Sequence, residues 1–270
     1  MKAVLFSLAL VSTLGLASHV AACGAGTDCD VDGGAYRIEL PQAAPGEKPG
    51  ALIFFHGWQS TAAAQFRNSA LVNGALSEGF AFVAPQGAEK TWSYPGSPSA
   101  HRDEFRFAEA VRRDLIENKG IDPDRIIVSG FSMGGSMAWS LACSHGDRYA
   151  GFVPIAGAFW EPLPEACENP TDAMIHVHGG SDRTVPMEGR PIGSSWRQGD
   201  VEASLAVLLG TPACVARPDF PAEETRVLTC QSLTCGSGMA ELCMHSGGHS
   251  IRSEWVIDGL RRIAELKGWD

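Results

Sequence analysis

The sequence lacks the patterns by which most protein metal sites are recognised. It contains neither a CxxC pair nor an HExxH segment, and its eight cysteines are spread more widely than zinc ligands usually are. We therefore assign no residue to a metal.

Basic side chains are scarce as well. The chain has 21 Lys and Arg residues against 31 Asp and Glu residues, which gives a formal net charge of −10 at pH 7. Non-specific binding to nucleic acids and to anionic lipids depends on clustered basic residues. Neither nucleic acid nor an anionic membrane surface is therefore expected as a partner.

The N-terminal apolar stretch that follows Lys2 is too short to span a bilayer, and small residues follow it at positions 20–22. This pattern is typical of a signal peptide over residues 1–22, so we expect a secreted or periplasmic protein without a membrane span. The alternative is a lipoprotein anchored at Cys23, because the residues before this cysteine also fit a bacterial lipid-attachment site.

No internal repeat or low-complexity linker divides residues 23–270, whose length suits a single α/β domain with a full core. An even number of cysteines in an exported chain predicts disulfides. Separation along the chain suggests four pairs, although sequence alone does not fix the connectivity. The suggested pairs are Cys23 with Cys29, Cys143 with Cys167, Cys214 with Cys230, and Cys235 with Cys243.

Short apolar runs alternate with longer helical patterns, which predicts an α/β fold with a mostly parallel central sheet and helices on both faces. Their continuous apolar character predicts that the strands are central. The predicted strands are Tyr36–Leu40, Ala51–Phe55, Phe80–Ala84, Ile126–Ser129, Gly151–Ile155, Met174–His178 and Ala240–His245. The predicted helices are Ala62–Ser77, Phe105–Asn118, Ser132–Cys143, Val201–Leu209 and Glu254–Lys267.

Two segments rich in Gly, Pro and Ser, Gln86–Ser99 and Glu188–Gly199, are predicted to be surface loops that shape a binding site. Trp92 lies in the first of them, and Trp160 follows a predicted strand. A single Trp packs in a core as readily as it lines a site. Several near one site favour an aromatic or extended ligand, so Trp92 and Trp160 are our candidate substrate-binding residues.

The segment Gly130-Phe131-Ser132-Met133-Gly134 follows a predicted strand and precedes a predicted helix. This is the G-x-S-x-G pattern in the context that its chemistry requires, because only glycines let the strand and helix approach around a strained serine. The turn exposes the Ser132 hydroxyl and points the N–H groups of the helix N-terminus at a developing oxyanion. Ser132 is therefore the predicted nucleophile; a glycine-rich turn with a helix-capping serine is the alternative.

In the fold that uses this turn, an acid and then a histidine follow the serine along the chain. This order leaves His245 and His249, and we favour His249 because the flexible turn around it can return an imidazole to the serine. Asp182, just beyond the strand that ends at His178, is the predicted acid. The alternatives for the acid are Asp172, Asp200 and Glu202.

The predicted roles follow from proton chemistry: His249 acts as the general base, and Asp182 fixes its tautomer and stabilises its charged form. The oxyanion hole is predicted to consist of the backbone N–H groups of Met133 and Trp58, the latter in the loop after the strand Ala51–Phe55. His56 is interpreted as a structural residue that orients this loop.

Four segments taken in order, Phe55-His56-Gly57-Trp58, Gly130 to Gly135, His178 to Asp182 and Gly247-Gly248-His249-Ser250, resemble the α/β-hydrolase esterases known as polyhydroxybutyrate depolymerases and feruloyl esterases. The resemblance covers nearly all of residues 23–270 and implies hydrolysis of carboxylic esters without a cofactor. Its implied substrates are small-molecule, polyester or plant cell-wall esters. Many depolymerases carry cysteine where this chain has Trp58, which bears on the substrate rather than on the reaction.

Other functions remain open at this point. Within the same fold, a serine peptidase or a dienelactone-type hydrolase is the nearest alternative. A catalytically inactive scaffold that binds polysaccharide is an alternative from a different class. The intact Ser132, Asp182 and His249 set argues against it.

Overall fold

A computed structural model describes residues 23–211, 213, 228–235 and 238–269. The strands are β1 (Cys29–Val31), β2 (Gly34–Glu39), β3 (Gly50–Phe55), β4 (Phe80–Pro85), β5 (Ile126–Phe131), β6 (Gly151–Ile155), β7 (Ala173–Gly179), β8 (Arg190–Ile192), β9 (Trp196–Gln198), β10 (Thr229–Cys235) and β11 (Gly238–His245). The α-helices are α1 (Ala62–Gln65), α2 (Ser69–Ser77), α3 (Glu104–Asn118), α4 (Met133–Ser144), α5 (Val201–Leu209) and α6 (Ser253–Lys267).

Within these residues, nine strands form one sheet in the order β1-β2-β4-β3-β5-β6-β7-β11-β10. The six strands from β4 to β11 in this order run parallel to one another. Strands β1 and β2 at one edge and β10 at the other are antiparallel to their neighbours. The carboxyl ends of the parallel strands therefore meet at one edge of the sheet, which is where α/β proteins place their sites.

Alternation along β3 shows how the two faces of the sheet are covered. Ile53 and Phe55 pack into the core layer that contains residues of α3, α4 and α5. Leu52 and Phe54 pack into the opposite layer, which contains residues of α2 and α6. Because side chains of a strand alternate between faces, a continuous apolar run is what a sheet buried on both sides requires. The predicted α/β fold with helices on both faces is confirmed.

The prediction of a single helix over Ala62–Ser77 is wrong. Residues 62–77 form two helices, α1 and α2, rather than one. The Thr61 side chain accepts a hydrogen bond from the Ala64 N–H, and Asn68 does the same for the Leu71 N–H. Each is an N-cap, so a second helix begins at Ser69, where the sequence pattern had continued the first.

The outer strands also differ from the prediction. Strand β2, expected to be central, lies next to the edge and pairs antiparallel with β1 and β4. The segment Glu188–Gly199, predicted as a loop, contains the β8–β9 hairpin. Gly193, between the two strands, has φ +60°, a conformation that glycine adopts without strain.

Three disulfides lie among the described residues. Cys23 pairs with Cys29 and Cys143 with Cys167, as predicted. A disulfide sulfur cannot also carry a lipid, so the first pair argues against attachment of a lipid at Cys23.

The prediction for the C-terminal cysteines is wrong, because Cys230 pairs with Cys243 and not with Cys214. The same bond excludes the predicted pair of Cys235 with Cys243. The antiparallel register of β10 and β11 places Cys230 directly opposite Cys243. Cys214 and the predicted signal peptide over residues 1–22 lie outside the described residues. Among the described helices, none combines the length and the apolar character needed to cross a membrane.

Candidate active site

Ser132 stands between the end of β5 and the start of α4 in a strained conformation, with φ 58° and ψ −118°. A Cβ atom at Gly130 would lie 2.3 Å from the Gly134 carbonyl oxygen, and one at Gly134 would lie 2.0 Å from that of Phe55. Neither position therefore admits a side chain. The glycines of the motif let β5, α4 and β3 approach closely enough to force the serine into this turn.

His249 connects Ser132 to Asp182. Its Nε2 lies 2.9 Å from the Ser132 Oγ, and its Nδ1 lies 2.7 Å from the Asp182 Oδ2. Asp182 follows the carboxyl end of β7 and His249 follows that of β11, two neighbouring parallel strands. The Phe131 ring packs against the imidazole, with ring centroids 4.7 Å apart. The structure thus brings the three predicted catalytic residues together as one hydrogen-bonded triad.

The Asp182 carboxylate is held in one orientation. Its Oδ1 accepts hydrogen bonds from the backbone N–H groups of Thr184, at 2.8 Å, and Val185, at 2.9 Å. Burial acts to raise the pKa of Asp182, but the hydrogen bonds from His249, Val185 and Thr184 and the attraction to the imidazole outweigh it, and the pKa lies below its ordinary value. Asp182 is therefore ionised at neutral pH and can stabilise a charged His249.

Two buried histidines support the turn that carries Asp182. The Trp139 indole N–H can only donate, so the His176 Nδ1 at 3.3 Å accepts from it. The His176 Nε2–H then donates to the His178 Nδ1 at 2.9 Å, and the His178 Nε2–H donates to the Val185 carbonyl oxygen at 2.7 Å. The other tautomer would donate from His176 to the Pro154 carbonyl oxygen at 3.0 Å. It would leave the Val185 oxygen facing an unprotonated nitrogen.

This chain of hydrogen bonds ends at Val185, whose own N–H donates to Asp182. Burial lowers the pKa of His176 well below its ordinary value, and the neighbouring His178 lowers it further. His176 therefore stays neutral, with one ring nitrogen accepting and the other donating.

The loop after β3 lies against Ser132. A Cβ atom at Gly57 would be 3.7 Å from the Ser132 Cβ, and Trp58 next to it is 69% exposed. His56 holds the loop, since its Nε2 accepts from the Gly87 N–H at 3.0 Å and its Nδ1–H therefore donates to the Gly57 carbonyl oxygen at 2.8 Å. Burial lowers the pKa of His56, so it is neutral in this role.

The N–H groups of Trp58 and Met133 remain our proposed oxyanion donors. Trp58 belongs to the loop beside Ser132, and Met133 is the first residue of α4, whose opening N–H groups have no partner within the helix. These positions agree with an oxyanion hole formed by the residue after the nucleophile and a loop after an earlier strand.

A cavity of about 660 Å³ opens at Ser132; we call it the active-site cavity. Its wall includes Trp160, our candidate substrate-binding residue. Trp92 does not line it and is fully buried, with its indole N–H donating to the His56 carbonyl oxygen at 2.7 Å. The assignment of Trp92 to substrate binding is therefore wrong: the polar end of this Trp finds its partner in the core.

The alternative catalytic residues occupy other places. His245 is buried and stacks on Trp255, with ring centroids 4.3 Å apart, and its Nδ1 accepts from the Gly247 N–H. The Asp172 carboxylate pairs with Lys267, and Asp200 caps α5.

Several residues of the cavity wall were not predicted from the sequence. The two segments predicted to shape a binding site do contribute to it, but the individual side chains were not foreseen. The contributing residues are Glu89, Thr91, Pro98 and Ser99 from the first segment and Arg190, Ile192 and Gln198 from the second. Composition identified the loops but could not tell which side chains turn toward Ser132.

The chain resembles known proteins in sequence and in fold. Residues 42–191 match the family model described as phospholipase/carboxylesterase. Feruloyl esterase C of Emericella nidulans is 25% identical over 167 residues, which cover 59% of this chain and 58% of that protein. Poly(3-hydroxyalkanoate) depolymerase C of Paucimonas lemoignei is 30% identical over 155 residues, which cover 54% of this chain and 35% of that protein. These matches confirm the resemblance predicted from the sequence.

The chain spans about half the length of the curated relatives that it matches first. A solved structure, an acetyl xylan esterase from Aspergillus awamori, superposes with a TM-score of 0.59 at 14% identity. The superposition covers 84% of this chain and 93% of that one, and it shows a shared fold.

Proposed function

Because the chain belongs to the phospholipase/carboxylesterase family, we propose that it is a serine esterase that hydrolyses carboxylic esters through an acyl-enzyme. The observation that carries this proposal is the row formed by Ser132, His249 and Asp182, with 2.9 Å and 2.7 Å between successive partners. Nucleophile and base are within hydrogen-bond reach, and a third group orients the base, as this chemistry requires.

The reaction proceeds in two halves. The Ser132 Oγ attacks the ester carbonyl carbon, its proton passes to the His249 Nε2, and the carbonyl electron pair moves onto the oxygen. The N–H groups of Met133 and Trp58 stabilise this oxyanion. The oxyanion collapses, the C–O bond to the alcohol breaks, and His249 returns its proton to the departing alkoxide.

Water then replaces the alcohol. His249 takes a proton from the water as its oxygen attacks the acyl carbon, and a second oxyanion forms and collapses. The bond to the Ser132 Oγ breaks, and the serine regains a proton from His249. The products are a carboxylic acid and an alcohol, and Asp182 stays ionised throughout because its pKa is low.

The active-site cavity supports esters with an extended or aromatic group. Its volume falls within the range of small-molecule sites, and Trp160, Val185 and Ile192 give it apolar wall area. We propose feruloyl, acetyl-xylan or short hydroxyalkanoate esters as the substrate class. Relatives named for feruloyl ester and polyhydroxyalkanoate hydrolysis support the first and third of these.

We also propose that residues 23–270 form one catalytic domain that works outside the cytoplasm. Disulfides such as Cys143–Cys167 form and persist in oxidising compartments, which supports an extracellular or periplasmic location.

A substrate panel tests the proposal. Methyl ferulate, acetylated xylan and hydroxybutyrate oligomers are compared by kcat/KM, and p-nitrophenyl acetate is assayed with and without a serine-directed phosphonate. We expect turnover of p-nitrophenyl acetate that the phosphonate abolishes, and a clear preference for one member of the panel. Absence of any phosphonate-sensitive turnover would favour an inactive binding scaffold instead.

A further inference from the structure

Gln198, at the end of β9, lies in the wall of the active-site cavity together with Ser132. The residue is only 7% exposed. Its side-chain Oε1 is buried and has no hydrogen-bond partner among the described residues. Most buried polar atoms in folded proteins are paired, so an unpaired one on a residue that lines the same cavity as a reactive serine calls for an explanation.

The backbone holds Gln198 firmly in this place. It pairs with Arg190 across the β8–β9 hairpin and forms an isolated β-bridge with Trp160 on its other side. The next N–H, that of Gly199, donates to the Phe159 carbonyl oxygen at 2.8 Å. The backbone of Gln198 is therefore fixed, while the terminal torsion of its side chain is soft enough for the amide to turn toward the cavity.

The surface of the cavity as a whole is mainly apolar, although Arg190, which lies opposite Gln198 in the hairpin, is also in its wall. Trp160, Ile192 and Val185 line the same cavity. A ligand group that lies against Trp160, Ile192 and Val185 would meet mainly apolar surface, together with one polar atom that has no partner among the described residues. A hydroxyl carried on an apolar group satisfies both conditions, because it can donate one hydrogen bond to an amide oxygen.

We propose that the Gln198 Oε1 accepts a hydrogen bond from a hydroxyl on an apolar group of the ester substrate, which makes Gln198 a specificity-determining residue. The inference rests on the proposed ester hydrolysis and specifies its substrate class. A site built to bond a hydroxyl discriminates against an analogue that lacks it, since that analogue leaves the buried acceptor unpaired.

Matched ester pairs test the proposal and locate the hydroxyl. Methyl 4-hydroxycinnamate and methyl cinnamate differ only by a hydroxyl on the acid side. 4-Hydroxyphenethyl acetate and phenethyl acetate differ only by one on the alcohol side. We expect wild-type kcat/KM to favour the hydroxylated member of one pair by about 10-fold, the effect of one ordinary hydrogen bond. Equal kcat/KM within both pairs would overturn the proposal.

Variants connect the preference to the side chain. In Gln198→Met, which keeps the length but removes the amide, the preference should disappear. In Gln198→Glu, which keeps an accepting oxygen, it should persist. Persistence of the preference in Gln198→Met would overturn the role of Gln198, and its loss in Gln198→Glu would overturn the assignment of an accepting oxygen. The control is Gln231→Met, the same change at an exposed position of β10, which should leave the preference unchanged.

A binding measurement separates this inference from the proposed function. Ser132→Ala protein, which needs no turnover, is titrated by calorimetry with the free acids and alcohols of the two ester pairs. Tighter binding of a hydroxylated compound, lost in Ser132→Ala/Gln198→Met, would support the subsite even if no ester were hydrolysed. Hydrolysis of all four esters without any hydroxyl preference would leave the esterase proposal intact and remove this one.

Discussion

The Nδ1 of His249 lies 2.7 Å from the Oδ2 of Asp182, although 67 positions separate the two residues. The pairing depends on β7 and β11 being parallel neighbours, because each residue follows the carboxyl end of one of these strands. Because the Nδ1 carries the proton that is shared with Asp182, the His249 Nε2 is unprotonated and points at Ser132, as a general base must.

Replacing Asp182 by Asn should therefore reverse the tautomer of His249. The amide can present an N–H to Nδ1, which would leave the proton on Nε2, the nitrogen that must receive one from Ser132. We expect kcat to fall by about 10³- to 10⁴-fold with little change in KM. Steady-state kinetics measure this, and a matched Asp200→Asn change at the N-cap of α5 should leave kcat near wild type, because Asn caps a helix about as well as Asp. A kcat close to wild type in Asp182→Asn would contradict the role given to Asp182.

The series of hydrogen bonds from Trp139 through His176 to His178 should affect kcat, because it positions the turn that carries Asp182. His178→Phe keeps a ring but removes the N–H that donates to the Val185 carbonyl oxygen. We expect kcat to fall by roughly 10-fold while KM changes less, since a loosened turn misplaces a group used in the transition state. His145→Phe, at the far end of α4, is the control. An unchanged kcat in a folded His178→Phe protein would show that these hydrogen bonds do not position Asp182.

His245 should affect acid stability rather than catalysis. Burial, followed by the charge of His178, lowers the pKa of His245 to about 4, from an ordinary value of 6.5. Between these values the unfolded chain binds a proton that the folded chain does not. The contribution of His245 to the free energy of unfolding is therefore fully present above pH 6.5 and is lost as the pH falls toward 4.

His245→Gln should accordingly lose less stability than wild type over that pH range, by up to about 3 kcal/mol, and should keep a kcat within about 3-fold of wild type. Denaturant unfolding at pH 7, 5.5 and 4 measures the first effect. If His245→Gln abolished turnover and His249→Gln did not, the base would be His245 instead.

The Cys143–Cys167 disulfide closes a loop of 24 positions at the end of α4 opposite Ser132. Its removal in Cys143→Ser/Cys167→Ser should lower the free energy of unfolding by about 3 kcal/mol through the greater freedom of the unfolded chain. Thermal unfolding measures the loss, and kcat measured well below the transition should stay near wild type. A large fall in kcat at that temperature would show that the bond also shapes the active site.

The parts of this structure that local sequence determines were predictable. Gly130, Ser132 and Gly134 dictate a turn whose geometry follows from sterics alone, and the chain order of acid and histidine then selects Asp182 and His249. The apolar runs of β3 and β5 identify buried parallel strands for the same reason: burial on both faces leaves no room for polar positions.

Features that depend on strand register and on packing were not predictable. The bond between Cys230 and Cys243 follows from the register of β10 and β11, and β10 carries no apolar pattern strong enough to reveal it. Trp92 and Gln198 both lie in segments that composition identifies as loops, yet one is buried in the core and the other lines the cavity. Only the packing of the surrounding elements decides between these outcomes.

The most direct test of the central claim, that Ser132 is the nucleophile, is covalent labelling with a fluorophosphonate followed by mass spectrometry of the peptides. We expect one phosphonylated residue, Ser132, in wild-type protein and in the exposed-site control Ser77→Ala, with loss of esterase activity in proportion to labelling. Ser132→Ala should take up no label and should lose at least about 10³-fold in kcat. Labelling at another serine, or full turnover by Ser132→Ala, would contradict the account.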